Sequence, residues 1–259
     1  MGKVTVCIPA RLASSRLPGK LLLAQTGKTV LQHTCEAAHS QAGNPIVITP
    51  DVQILAAVPE AAWAKTIFKP ESDRPHYSGT SRISECLTSY YLEDSDLIIN
   101  VQADEPTLPA GAVDRLIAEM ERNREAEVGT ITCPIHDWDL PNPAVVKCAV
   151  GLHGNALYFS RAAIAGAVKH VGVYAYRRKV LAMMRQVWLG KAEGDLSRAE
   201  NLEQLFFLEM GWKIATIHLD ESTIAIDTAD DYRLFCDWYA RKQGDGWEQG
   251  NQSGSQPSI

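Results

Sequence analysis

Cysteine is sparse and scattered: Cys7, Cys35, Cys86, Cys133, Cys148 and Cys236 in 259 residues, with no C-x-x-C pair among them. That spacing excludes a zinc ribbon or a redox pair, and thiols set inside apolar runs read as buried free cysteines. No stretch reaches the ~18 apolar residues of a membrane span, and the apolar run after Met1 is too short for a signal peptide. The sequence therefore predicts a cytoplasmic chain. Aromatics are only 7% of the residues, and Trp63, Trp138, Trp188, Trp212, Trp238 and Trp247 are dispersed. Such spacing offers no stacking platform for single-stranded nucleic acid, and these tryptophans read as structural. Basic residues are outnumbered, 25 to 31, for a net charge of −6, which argues against a phosphate-backbone binder. There is no G-x-x-x-x-G-K-[ST] loop, no G-x-G-x-x-G and no internal repeat.

What is present is an ordinary globular composition, 46% apolar and 22% charged, in a chain long enough to bury its own core. Apolar runs at 4–8, 45–49, 65–68 and 96–101 alternate with helical spacing at 30–42, from Asp51 to about 60, and from 80 to 91. Strands separated by helices predict a parallel sheet covered on both faces. The runs at 128–133, 145–150, 156–160 and 171–176 are β-rich with short spacers, and predict antiparallel strands that extend the sheet or form an arm. Helical spacing returns at 178–189 and 198–209, then strand at 213–218 and a last helix at 229–241. A single domain over 1–242 is expected, followed by a disordered tail over 243–259, which lacks an apolar face.

The chemistry-bearing residues sit at strand ends, where open α/β sheets bind ligands. The first strand runs into Pro9-Ala10-Arg11-Leu12-Ala13-Ser14-Ser15-Arg16-Leu17-Pro18-Gly19-Lys20. Two Arg, a Lys and two Ser in one loop can surround a triphosphate with charge-assisted and backbone hydrogen bonds. The strand 97–102 ends in Ala103-Asp104-Glu105-Pro106, where a divalent cation could meet those phosphates. Successive strand residues face opposite ways, so one acid suffices, and Asp104 is the candidate. Asp227 either caps the last helix or closes the same metal site; spacing leaves both open. Ser78 and Gly79 open a helix either as an ordinary cap or as a base-recognising start.

Together these motifs carry a resemblance. IPARLASSRLPGK (8–20), YSGTSRISE (77–85), NVQADEP (100–106), NPAVVK (142–147), ALYFSRA (156–162), HVGVYAYR (170–177), ENLEQL (200–205) and AIDTADD (225–231) occur in order along the chain. The set resembles the CMP-sugar-acid synthetases, and among them the CMP-KDO synthetase (3-deoxy-manno-octulosonate cytidylyltransferase) family. The resemblance implies a three-layer α/β nucleotidyltransferase fold with a mostly parallel mixed sheet and a β-rich dimerisation arm. It implies a homodimer that joins CTP to an acidic sugar with Mg²⁺, giving CMP-sugar and pyrophosphate. Carried over by motif, Arg11, Ser14 and Lys20 hold the triphosphate, with Ser78, Gly79 and Gln102 at the nucleotide. Asp104 and Asp227 bind Mg²⁺; Lys20, Arg11 and Asp104 form the catalytic set. Gln102, His170, Tyr174, Glu200 and Gln204 face the acceptor.

The chain departs from the family pattern at Ser81, where an acid is usual, and at Ala103, where a glycine is usual. It departs again at Phe206, where an arginine commonly stands, and in a shortened connection over 161–169. These changes keep a second acceptor class open, a smaller acid such as a short phosphonate met by His170, Lys169, Arg177 or Arg178. A CTP-binding regulator without turnover is the non-enzymatic alternative.

Overall fold

The computed structural model describes residues 2–58, 65–69, 78–190 and 194–251, without the side chains of 188–190 and 244–251. Trp63, Tyr77 and the last eight residues lie outside the described residues, as do the side chains of Trp188 and Trp247. The elements run β1 (Lys3–Pro9), α1 (Val30–Ala37), β2 (Ile46–Thr49), α2 (Val52–Ala57), β3 (Lys65–Phe68), α3 (Gly79–Glu85), β4 (Ser95–Val101) and α4 (Ala112–Arg122). They continue with β5 (Val128–Cys133), β6 (Lys147–Val150), β7 (Ala156–Ser160), β8 (Val168–Arg177), α5 (Arg178–Gly190), α6 (Asp195–Glu200), α7 (Glu203–Glu209), β9 (Ile214–His218) and α8 (Ala229–Asn251).

The sheet has the order β3-β2-β1-β4-β8-β5-β9. The first four strands are mutually parallel, β8 is antiparallel to both β4 and β5, and β9 is parallel to β5. Period-2 alternation sends neighbours along a strand to opposite faces. Val6 and Ile8 pack with Val47, Ile99, Val101 and Val173 against α1, α4 and Phe235 of α8. Cys7 packs with Ile46, Ile48, Ile98 and Tyr176 against Ile83 of α3, Leu181 of α5 and Phe207 of α7. Both faces are thus buried, and the three-layer expectation holds.

Helix starts follow local chemistry. Thr29 accepts from Gln32 N at 3.1 Å while Gln32 Oε1 accepts from Thr29 N at 2.8 Å, a reciprocal box that fixes α1. The expected helix over 198–209 is two helices, because Asn201 takes a left-handed conformation (φ 52°) and Leu202 is extended. Helix α4, which the sequence reading passed over, buries Val113, Leu116, Ile117 and Met120 on one stripe. Helix α8 reaches Asn251, past the expected tail boundary at 243.

The antiparallel pair β6–β7 joins the sheet through Lys147–Lys169 and Cys148–Val168 of β8, with one further bridge from Asn155 of its connection to Ala215 of β9. Strand order reverses at β1, whose neighbours are β2 and β4, and ligands of doubly wound sheets bind in the crevice that such a reversal opens. The loops after β1 and β4 leave the sheet there.

Candidate active site

A cavity of ≈ 1320 Å³ lies over those strand ends, reaching from the loop after β1 to β8 and α7. At its floor the Lys20 ammonium donates to Asp104 Oδ2 at 2.5 Å, to the Ile226 carbonyl at 2.7 Å and to Asp227 Oδ1 at 3.0 Å. Gly19 takes a left-handed conformation (φ 69°) that starts the single 3₁₀ turn carrying Lys20 inward. Asp104 is anchored by its carbonyl, which accepts from Ile226 N at 2.9 Å and so ties the two acidic loops together. Asp231 holds the other loop: its carboxylate accepts from Asp227 N at 3.1 Å and Thr228 N at 2.7 Å. Asp227 is therefore ahead of the helix cap, which Thr228 and Asp231 provide. Burial would lower the Lys20 pKa, but the charges of Asp104 and Asp227 and their hydrogen bonds outweigh it and hold the group protonated.

Of the adjacent acids after β4, only Asp104 faces the lysine. Glu105 turns into the protein, where Oε1 accepts from Gly172 N at 2.7 Å. Burial, then the charge of Asp104, pushes its pKa up to about 7. A Cβ on Gly172 would lie 2.9 Å from Glu105 Oε1, so glycine lets β8 approach this loop. Gly79 is required for the same reason: a Cβ there would meet Pro9 Cγ at 2.7 Å, so only glycine seats α3 against the end of β1.

The model of the cytidylyltransferase family matches residues 5–214. The chain belongs to the cytidylyltransferase family. It is 36% identical to 3-deoxy-manno-octulosonate cytidylyltransferase of Rhodopirellula baltica (strain DSM 10527 / NCIMB 13988 / SH1), covering 90% of this chain and 97% of that one. It is 37% identical to 8-amino-3,8-dideoxy-manno-octulosonate cytidylyltransferase of Shewanella pealeana (strain ATCC 700345 / ANG-SQ1), over 89% of this chain and 96% of that one. Its fold is similar to that of CMP:2-keto-3-deoxy-manno-octonic acid synthetase complexed with CTP, with a TM-score of 0.80, 33% identity, and coverage of 93% and 99%.

In this cytidylyltransferase Arg11, Ser14, Lys20, Ser78, Gly79, Gln102, Asp104, His170, Tyr174, Gln204 and Asp227 all line the one cavity. Glu200 does not. It ends α6, and its carboxylate is taken by the Ser160 hydroxyl at 3.2 Å and Arg161 N at 3.3 Å. Glu203, the first residue of α7, does line the cavity; its Oε1 accepts from the Thr80 hydroxyl at 2.8 Å, and burial raises its pKa. Arg177 and Arg178 are spent on backbone carbonyls of Ala126, Met120, Leu92 and Leu87, whereas Lys169 and Arg161 reach the cavity. Sequence reasoning also passed over Arg16 individually, which pairs with Asp227 Oδ1 at 2.9 Å, and read Trp138 as structural although it is 72% exposed on the cavity wall.

Three of the four departures can be placed locally. Ser81 replaces an acid yet still completes the box at α3: Ser78 N donates to Ser81 Oγ and Ser81 N to Ser78 Oγ, both at 3.2 Å. Ala103 is buried outside the left-handed region, so its backbone needs no glycine, and its carbonyl accepts from Thr34 at 2.8 Å. Phe206 is buried against Phe207 and makes part of the wall apolar.

His170 is buried between Phe159 and Tyr174, with Nε2 3.0 Å from the Thr130 hydroxyl, and burial pulls its pKa down to about 3. The unfolded chain takes up a proton below pH ~6.5 that the folded chain refuses until pH ~3. This contribution is intact above pH 6.5 and is lost on acidification by roughly 1.4 kcal/mol per unit across that window. Urea titrations from pH 7 to 4 should show His170→Gln losing less stability with acid than the parent; equal slopes would place the acid sensitivity elsewhere.

Proposed function

We propose that the chain transfers the cytidylyl group of CTP to a hydroxyl of a KDO-type sugar acid, with Mg²⁺, releasing pyrophosphate. One observation carries the reading: a lysine ammonium stands between two carboxylates from separate loops at the sheet's switch point. That ammonium is a stand-in cation. Its partners are two carboxylate oxygens and one carbonyl, an all-oxygen set that suits a hard divalent ion, which needs only one or two carboxylates beside phosphate oxygens. Asp104 and Asp227 would hold the ion. When bound, it supplies charge neutralisation at the α-phosphate and a lowered pKa for the attacking hydroxyl.

The chain's own groups do the rest. Arg11 and Ser14 on the loop after β1 grip the triphosphate, and Lys20 moves from carboxylates to phosphate oxygens as charge develops. Ser78 and Gly79 at the start of α3 sit at the base. Gln102, His170, Tyr174 and Gln204 orient the acceptor; His170 is neutral and Tyr174, whose pKa burial raises well above the usual phenol, keeps its proton. No side chain acts as a covalent nucleophile, so the rate enhancement is positioning and electrostatics.

The relatives at 36% and 37% identity support a KDO-type acceptor over a short phosphonate. Pyrophosphate release from CTP, measured with KDO, 8-amino-KDO and a panel of short phosphonates, tests it: release with a KDO-type acid is expected. Release with phosphonates alone would overturn the acceptor class, and CTP binding without release would return the regulator reading. A homodimer through the β6–β7 arm is part of the proposal, supported by Leu152 and Leu157, 104% and 64% exposed on that hairpin. Leu152→Asp with Leu157→Asp should convert a dimer to a monomer in sedimentation; a parent that is already monomeric would remove the arm from that role.

A further inference from the structure

We propose that Trp138 is the stacking face of the acceptor pocket, its indole lying against the C–H face of the acceptor's sugar ring. The inference rests on the acceptor reading above and adds a residue to it. Large aromatic rings are normally among the most buried parts of a protein, yet Trp138 is 72% exposed while lining the cavity. The other carbocyclic rings among the described lining residues, Tyr174 and Phe206, are 2% and 8% exposed, so neither offers a face.

The exposed ring is also held in place. Asp139 N and Leu140 N both donate to the His136 carbonyl, at 2.9 and 3.2 Å, and close a turn around Trp138. The His136 imidazole stacks on the indole with centroids 4.3 Å apart and planes 15° from parallel. One side of the indole is thereby braced, which reduces the ordering cost when the rest of the ring meets a ligand.

The surroundings specify the ligand. The loop that carries Trp138 is tied to two cations on the same wall: Arg161 donates to the Pro143 carbonyl at 3.1 Å, and Lys169 Nζ lies 3.9 Å from Asp139 Oδ2. A flat apolar ring beside anchored cations matches a carboxylated sugar, which presents a patch of C–H bonds on its ring and a charge at one end. The proposed nucleotide end is built differently, from Arg11, Ser14 and Lys20 for the triphosphate and Ser78 and Gly79 for the base, with no aromatic ring among them.

Steady-state kinetics on the full chain with CTP, Mg²⁺ and KDO decide the matter. Trp138→Ala should raise the KM for KDO about ten-fold, the scale of one lost aromatic contact, with the KM for CTP unchanged within two-fold. Trp138→Phe should restore most of the loss, and KDO should quench the tryptophan fluorescence of the parent more than that of Trp138→Phe. An unchanged KM for KDO in Trp138→Ala, a rise confined to CTP, or no rescue by phenylalanine would overturn the stacking role while leaving the proposed reaction intact. A parent that releases no pyrophosphate with KDO or 8-amino-KDO would overturn both.

Discussion

Asp104→Asn is expected to cut turnover about a thousandfold while the KM for CTP stays within a few-fold, as judged by pyrophosphate release at saturating KDO. The substitution keeps shape and removes one charge. On the proposed reading the loop after β1 grips the triphosphate through Arg11 and Ser14, which make no hydrogen bond or ion pair with Asp104, so binding in the ground state has little to lose. The charge that builds on the α-phosphate during transfer has much to lose, because the carboxylate holds Lys20 at 2.5 Å and, on the proposed reading, would also hold the divalent ion. The fold should survive, since the backbone tie from Ile226 N to the Asp104 carbonyl and the contact of Lys20 with Asp227 are independent of the altered atoms. Turnover within ten-fold of the parent would remove Asp104 from the reaction.

The contrast between Asp104 and Glu105 shows what could be read beforehand. Strand alternation leads to the expectation that only one of the two adjacent acids faces a ligand, and only Asp104 meets Lys20, but the reason differs: β4 ends at Val101, and it is the turn beyond it, closed by Glu105 N on the Gln102 carbonyl at 3.2 Å, that sends Glu105 inward to Gly172. The sheet, both helical layers and the switch-point loop were legible because apolar period and strand-end position are local signals. Helix α4 carries the same signal at Val113, Leu116, Ile117 and Met120, and was overlooked rather than hidden. The break at Asn201 was hidden, because neither glycine nor proline marks the left-handed residue that separates α6 from α7. Glu200 illustrates a different limit. A motif aligns residues along the chain, but which carboxylate reaches the cavity depends on where α6 stops: Glu200 ends α6 away from the cavity, whereas Glu203, which starts α7 after the break at Asn201, lines it. Trp138 had no motif at all; an exposed indole is recognisable only once burial is known.

Lys20→Met should lower turnover by two to three orders of magnitude and, unlike Asp104→Asn, should make the protein more responsive to metal. In the parent one ammonium neutralises two carboxylates whose side chains are only 21% and 28% exposed. Methionine fills the space without the charge and leaves two like charges facing each other, a cost of about 2 kcal/mol once their partial exposure is allowed for. Arg16 still reaches Asp227 at 2.9 Å, which limits the loss at that residue and leaves Asp104 the more exposed to repulsion. A divalent ion relieves the same repulsion by binding the same oxygens, and a ligand that binds only the folded state raises its stability by linkage. Millimolar Mg²⁺ should therefore raise the Tm of Lys20→Met by several degrees more than that of the parent, where the ammonium competes for those oxygens. An equal shift in both proteins would mean that lysine and metal do not share the two aspartates, and the cation-exchange step in which Lys20 leaves the carboxylates for the phosphates would fall with it.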